Sequence, residues 1–456
     1  MPPTHARTAC HVLVLGAGLA GMRAAWAAKE AAPGLDVLLV SPRKSPSGSS
    51  FANRNNALGL QAPLPHEAEG FVDEVLRLAE PGFIDPELVR ALAQDAPLRA
   101  EELLDGPGGL GLDFRRDAAG RLLRFTGCFS PVPRALVFDG LANAHAAFLK
   151  RLREHGVHLL NGFDALEIVV RGGRATGALL AALRGGRSLD VGAGAVIAAL
   201  GGPAPLFGRR ICGPGSGLGY GLLHSAGARL VNAQYLQFFW GRARDRAFVN
   251  PGDLPWSEFP WLEPAPELAP LAASRRMHCP MAHGLADAAL DRELLARRGA
   301  DGLVLLPGQQ PLALYAHAGN GGARIDAHGR TTVPGLYACG ECAGGMHGAQ
   351  RLGGGMVLAA LVFGARAGLA AAQEAGTFAS WPSAAPAHPP GFSLPVDANF
   401  LRRMRRGMDR HARPFAPAGP ARTAFTAWLA HETRQAASQR QRLLALSALL
   451  VLGEMS

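Results

Sequence analysis

Residues 11–26 read His11-Val-Leu-Val-Leu-Gly16-Ala-Gly18-Leu-Ala-Gly21-Met-Arg-Ala-Ala-Trp26. A short apolar run ending in glycine is the pattern of a buried strand, and the alanine-rich stretch that follows, to about residue 32, has helical character. LDVLLVS (35–41) is a second strand. Strand, glycine turn, helix and strand in about thirty residues make a βαβ unit. Gly16, Gly18 and Gly21 have G-x-G-x-x-G spacing inside it. The first glycine makes the tight turn, the second lets backbone approach a pyrophosphate, and the third permits close helix–strand packing. The helix N-terminus then offers free N–H groups and a positive dipole to phosphate. A packing turn alone would need no such context, so the motif is read as dinucleotide-binding. It does not choose between FAD and NAD. The acidic ribose contact expected at the end of the second strand is absent, and Ser41 stands there.

The pattern returns about 300 residues later. RID (324–326) and GRTTVPGLYACGECAGGMHGAQRLGGGMVLAALVFGARAG (329–368) contain a strand end at Gly340-Glu341 and a long helix from about 353 to 374. A helix N-terminus near Gly354 can face the flavin carbonyl that becomes negative on reduction. A chain that comes back to its first domain in this way describes a two-part nucleotide fold. Between these ends, helical periodicity covers 67–104 and 139–155, and strand-like pieces cover 156–162, 164–171, 174–182 and 188–199. A Gly-rich turn at 215–229 leads into a helix. Residues 240–275 are Trp/Pro-rich and irregular, 281–298 are helical, 376–397 are a Pro/Ala/Ser linker, and 399–456 are Arg-rich and helical.

Composition excludes whole classes. With 48% hydrophobic and 18% charged residues the 456-residue chain folds rather than staying disordered. Six scattered cysteines do not make a disulfide framework, and no zinc or iron–sulfur ligand set is present. Cys339-Gly-Glu-Cys342 is read as structural, with a redox disulfide as the alternative. The net charge of +10 rests almost entirely on arginine spread along the chain, which fits an anionic cofactor or substrate and not nucleic acid. The run 402–413 (RRMRRGMDRHAR) is read as a solvated helix face, or else a docking face for an acidic partner. Neither a secretory signal nor a transmembrane segment is seen, and the expected location is cytoplasmic, at most membrane-peripheral through a partner.

These blocks together resemble the FAD-dependent flavoprotein family of succinate dehydrogenase, fumarate reductase and L-aspartate oxidase. AVIAALGGPAPLF (195–207), GSGLGYGLLHSAGARLVNAQYLQF (215–238) and HAGNGG (317–322) follow that family's order, as does the late block, and SGSSFANRNNALG (47–59) sits at its Ser/Thr loop. The resemblance implies an α/β fold: a two-part Rossmann-like FAD-binding domain (GR2-type, 1–238 and 313–375) with a central parallel sheet. It also implies an inserted capping or lid domain (239–312), a linker (376–397) and a partial C-terminal helical domain (398–456). It implies FAD contacts from Gly16, Gly18, Gly21, Ser41, Ser49, Ser50, Ala165, Gly201, Glu341 and Met356. His317 and Arg351 would bind a substrate carboxylate, and His347 would line the active site. No metal is implied. The loop Lys44–Gly59 has no histidine, so the expected FAD is noncovalent.

Family chemistry is hydride transfer between flavin N5 and a carbon next to a carboxylate. Three departures bear on it. The family's substrate histidine is Phe239 here. Its arginine proton shuttle has no counterpart in context, leaving Arg242, Arg244, Arg275 and Arg276 as candidates. The lid is short. Leu218, Gly355 and Met356 also replace polar cofactor contacts. An acid with one carboxylate and apolar bulk suits Phe239 and Trp240 better than a dicarboxylate. The expected partners are a small carboxylate substrate, an external electron carrier, quinone or oxygen, and a redox partner protein. The rival reading is a flavin-binding electron-transfer or scaffold subunit without dicarboxylate turnover; a NAD-binding protein is the weaker third.

Overall fold

The computed structural model describes residues 5–259, 268–376 and 395–454. The first strand spans His5–Leu15, the first helix Leu19–Ala31 and the second strand Val37–Ser41. The strands pair in parallel, with Val14 opposite Leu39, and the Gly16 N–H donates to Val40 O at 2.9 Å, so the glycine turn is tied to the end of the second strand. His158–Asn161 continues the sheet beyond Val37–Ser41, and Ser188–Ala198 lies along the other side of the first strand.

The far edge of Ser188–Ala198 is shared. Its second half pairs in parallel with Leu336–Ala338, the strand that brings the chain back. Its first half pairs with Arg174–Ala182, which in turn pairs with Phe163–Arg171, both antiparallel. The sheet is therefore mixed, and the expected parallel sheet holds for five of its seven strands. The reason is local. Gly172 and Gly173, both at positive φ, join Phe163–Arg171 to Arg174–Ala182 by two residues, and a two-residue link can only return antiparallel.

The helix Gly355–Ala375 crosses the first helix at close range. A Cβ on Gly364 would lie 2.7 Å from Ala20 O, and one on Gly368 would lie 2.2 Å from Ala24 O. It is the only helix among the described residues long and apolar enough to cross a membrane, but 78% of its apolar window is buried in the protein, as in a core helix.

A second, three-stranded antiparallel sheet joins Leu236–Arg242, Leu312–Gly319 and Leu303–Val304. The helices Leu268–Arg275 and Ala288–Ala296 are anchored to it through Trp240, whose Nε1 donates to Asp291 Oδ1 at 2.8 Å, while Arg275 pairs with Asp291 at 3.3 Å. Trp240 and Trp256 are buried, so these aromatics are local core; Trp261 lies outside the described residues. Three helices, Ala398–His411, Pro420–Gln435 and Gln439–Leu452, close the chain. The last docks on Gly219–Ser225, where the Gly221 N–H donates to Ser447 Oγ at 2.9 Å. In Ala398–His411 the apolar side (Phe400, Met404, Met408) is buried, while Arg402 and Arg403 are exposed. Nearly all of the linker read at 376–397 lies outside the described residues.

The helix crossing has a direct test. Gly368→Val pushes a side chain into the Ala24 carbonyl, which is backbone and has no rotamer to yield. Overpacking of this kind costs about 1–3 kcal/mol, read as a lowered denaturant midpoint. Gly34→Ala, with no atom within 4 Å of the new Cβ, stays within about 0.5 kcal/mol of the parent.

Candidate active site

A cavity of about 380 Å³ runs between the first βα turn, the start of the helix Gly355–Ala375 and the inner face of the small sheet. Its walls include Gly16, Gly18, Ser41, Ser49, Ser50, Ala165, Gly201, Glu341 and Met356, together with His317 and Arg351. Residues about 300 positions apart in the chain thus share one chamber.

At one end the wall is backbone. Gly16, at φ +111°, passes so near Ala199 that a Cβ would lie 2.2 Å from its carbonyl oxygen. Gly21 does not line the cavity. A Cβ there would meet Gly16 O at 1.9 Å, so it holds the helix against the turn. Gly18 caps the first helix with no side-chain hydrogen bond, and Gly354 does the same for Gly355–Ala375. Both ends keep N–H groups for a ligand. Ser50 Oγ accepts from Leu19 N at 3.3 Å beside this turn. The Ser41 hydroxyl is partly engaged in its own turn, donating to Arg43 O at 2.8 Å and accepting from Arg43 N. Gly340, at φ +69°, stands where a Cβ would press on Ala20 at 2.7 Å. A narrow glycine cradle between two uncapped helix starts fits an extended dinucleotide carrying a flavin.

Glu341 accepts from Gly319 N at 2.9 Å and fills the space above Gly202, where a Cβ would meet its Oε1 at 2.0 Å. Burial raises its pKa, opposed by the Gly319 N–H, the Arg351 charge and Ser49. Arg351 is buried. Its Nη1 donates to Gly319 O at 2.9 Å and to Asn320 Oδ1. Burial pulls the Arg351 pKa down to about 10, with Glu341 and Tyr220 pulling the other way, so it stays charged at neutral pH.

His317 owes its position to a register break. Gln237 pairs with Ala318 and Phe238 with Ala316, so His317 is the extra, unpaired residue of a β-bulge on Leu312–Gly319. Its Nδ1 is buried with no hydrogen-bond partner among the described residues, and its ring meets Phe239 edge-on at 4.9 Å. Burial, helped by the Arg351 charge, pushes its pKa down to about 3, so the ring is neutral. Phe239 lines the cavity, as expected for the residue at the family's histidine position. Trp240 does not. Neighbours along a strand face opposite sides, and its ring is buried against Asp291.

Other expectations fare differently. His347 is buried but does not line the cavity; its ring lies 3.4 Å from where a Cβ on Gly355 would be, one layer behind the wall. Leu218 is in the core, while its neighbours Gly215 and Ser216 reach the cavity. None of Arg242, Arg244, Arg275 and Arg276 lines it. Arg242 pairs with Asp245, Arg275 with Asp291 and Arg276 with Asp253. Cys342 is buried and donates to Ala198 O at 3.2 Å, while burial raises both thiols of the C-x-x-C. The cavity also takes in Asn53, Asn55, Gln237 and Asp164, which sequence reasoning did not single out. Asn53 and Asn55 fall in the Ser/Thr loop and Gln237 in the strand that carries Phe239, so those segments held the signal. Asp164, buried and paired with Arg440 at 3.2 Å, had none beyond its place next to Ala165.

Comparison with known proteins agrees with this geometry. The FAD binding domain family model matches residues 11–241 and 273–357. The L-aspartate oxidase of Halobacterium salinarum is 32% identical, over 89% of this chain and 84% of its own length. A CoM/CoB fumarate reductase subunit from Methanothermobacter marburgensis is 27% identical, over 80% of this chain and 73% of its own length. Among solved structures, a quinol-fumarate reductase with menaquinol molecules superposes with a TM-score of 0.73 at 18% identity, covering 98% of this chain and 90% of that one. Mycobacterium smegmatis Sdh1 in complex with UQ1 gives 0.70 at 21% identity, covering 98% and 85%. The glycine cradle, the returning strand and these matches identify the chain as an FAD-dependent oxidoreductase belonging to the flavoprotein family of succinate dehydrogenase, fumarate reductase and L-aspartate oxidase.

Proposed function

We propose that the protein oxidises or reduces a bond beside a single carboxylate, with hydride passing between flavin N5 and the carbon next to that carboxylate. When bound, FAD supplies the two-electron acceptor or donor. The residues that would hold it are Gly16, Gly18, Ser41, Ser49, Ser50, Ala165, Gly201, Glu341 and Met356, with Gly21 seating the helix behind the turn. The observation that carries the reading is Arg351, a buried guanidinium in the cavity wall beside a neutral histidine.

Arg351 Nη1 is occupied by Gly319 and Asn320, which fixes the plane of the guanidinium. Nε and Nη2 are then the atoms that would take a carboxylate, in the bidentate geometry a guanidinium favours. Neutral His317 can give one N–H bond without adding charge. Phe239 covers the side of His317 and offers no donor to a second carboxylate, which favours an apolar or amino substituent there. Among the described residues, Arg351 is the only arginine in the wall. Reduction of a C=C bond needs a proton delivered to the neighbouring carbon, whereas oxidation of an amine needs only that its ammonium lose one. We therefore favour C–N oxidation of a 2-amino acid over C=C reduction. The electrons then leave to oxygen, a quinone or a carrier protein.

The same departures favour the second reading, an electron-transfer or scaffold subunit. The two are separated by anaerobic mixing of the holoprotein with 2-amino acids and, after photoreduction, with fumarate. The first reading expects bleaching of the flavin by an amino acid. Failure of every acid to change the flavin, with rapid reoxidation by quinone, supports the second.

Three outcomes are expected from variants and from the bound flavin. Arg351→Lys keeps the charge and loses the bidentate fork; kcat/KM falls by about 100-fold or more while FAD stays bound. Phe239→His restores a donor opposite Arg351 and tightens dicarboxylate binding by about 10- to 100-fold, one hydrogen bond to a charged group, read as KM or as the Ki of a dicarboxylate inhibitor. Acid precipitation leaves all the flavin in the supernatant, because no histidine lies in the early loop; yellow colour in the pellet would contradict it.

A further inference from the structure

The cysteine motif visible in the sequence is buried, with both thiols held in their neutral form. A different pair, 151 residues apart in the chain, meets at the cavity wall. The Cys279 N–H donates to Cys128 Sγ at 3.3 Å. Cys128 lines the cavity, and both residues are half-buried. A backbone nitrogen this close to the partner's sulfur, with a hydrogen bond between the two thiols, brings the two side chains together.

The surroundings hold the pair in place. Phe129 N donates to Met277 O and Gly353 N donates to Cys128 O, each at 3.0 Å. Phe129 sits at φ +70°, a strained region for an aromatic residue, and its ring stacks on His278 at 4.3 Å. Arg275, fully buried, donates to the carbonyls of His278 and Cys279. The Cys128 sulfur therefore accepts from Cys279 with a guanidinium nearby, an arrangement that favours thiolate over thiol. The Cys279 hydrogen bonds, with His278 and Arg275, lower the Cys128 pKa, while Cys279 is held up by its partner and by burial. Cys10 and Cys212 are both pushed up to about 12, mainly by burial.

We propose that Cys128 and Cys279 form a redox site in which hydrogen peroxide closes the two thiols into a disulfide at the wall of the cofactor cavity. The Cys128 thiolate attacks one peroxide oxygen. The O–O bond breaks, the leaving hydroxide takes a proton to become water, and Cys128 becomes a sulfenic acid. Cys279 then attacks Cys128 Sγ, the S–O bond breaks, and the Cys279 proton leaves with the hydroxyl as a second water. Two thiols and one peroxide give one disulfide and two waters, with sulfur oxidised and oxygen reduced. Access selects the oxidant. Both residues are half-buried, and hydrogen peroxide has to present only one oxygen, whereas a disulfide must bring in a sulfur substituted on both sides. The chemistry needs no bound cofactor.

The test treats the holoprotein with hydrogen peroxide, labels the remaining thiols in denaturant with N-ethylmaleimide and maps peptides without reduction. The expected result is loss of two of the six thiols, a peptide linking Cys128 to Cys279, and reversal by dithiothreitol. In Cys279→Ser the linked peptide is absent and dimedone traps Cys128 as the sulfenic acid; Cys212→Ser behaves as the parent. Native-state alkylation of Cys128 is about tenfold or more faster than that of Cys212. No linked peptide in the parent protein, linkage among other cysteines, or a Cys128 no more reactive than Cys212 would each overturn the site. The parent map decides even where a variant folds poorly, since it needs no substitution.

Discussion

The crossing of two helices holds this molecule to its function. Leu19–Ala31 and Gly355–Ala375 touch backbone to backbone because Gly364 and Gly368 face Ala20 and Ala24. No larger side chain fits at either glycine. The consequence lies at the N-terminal ends. One helix begins after Gly18 and the other after Gly354, and the short distance between their axes sets both uncapped ends into the same cavity. The returning strand Leu336–Ala338 enters the sheet next to Ser188–Ala198 and delivers Gly340 and Glu341 to that place from the other side.

Much of this is legible in the sequence. Glycine spacing and apolar runs predict the βαβ start, the late strand and the long helix, because each is a local pattern with a local cause. The sheet's mixed direction is also written in Gly172-Gly173, though a two-residue link is weaker evidence than a run of valines. The rest depends on register and on distance in the chain. Sequence alone puts Trp240 beside Phe239 in the cavity, and only strand pairing separates their faces. His317 reaches the cavity because it is the residue left over at a bulge, which no composition shows. Cys128 and Cys279 carry no motif at all; the backbone bonds of Phe129 and Gly353 bring them together.

The cavity wall is not uniform in polarity. Around the first βα turn it is glycine, serine and backbone N–H. Elsewhere it concentrates charge in one coupled set. Glu341 and Arg351 both bond to Gly319, one through its N–H and the other through its carbonyl. A carboxylate and a cation on the cavity wall are therefore positioned by a single residue's backbone, and the places of the two charges are geometrically linked.

Burial, with the Arg351 charge added to it, explains why His317 is neutral. Both oppose a second positive charge beside the guanidinium. The site thus keeps one fixed cation where a dicarboxylate would need two donors of charge or strong hydrogen bonds. Phe239, ring to ring with the imidazole at 4.9 Å, adds an apolar surface there. A second carboxylate in this space would find no second cation in the wall among the described residues, and an unpaired buried charge costs several kcal/mol. An apolar group or a neutral amine meets no such cost beside an aromatic ring. Discrimination in this space follows from what the wall cannot pair with as much as from what it binds.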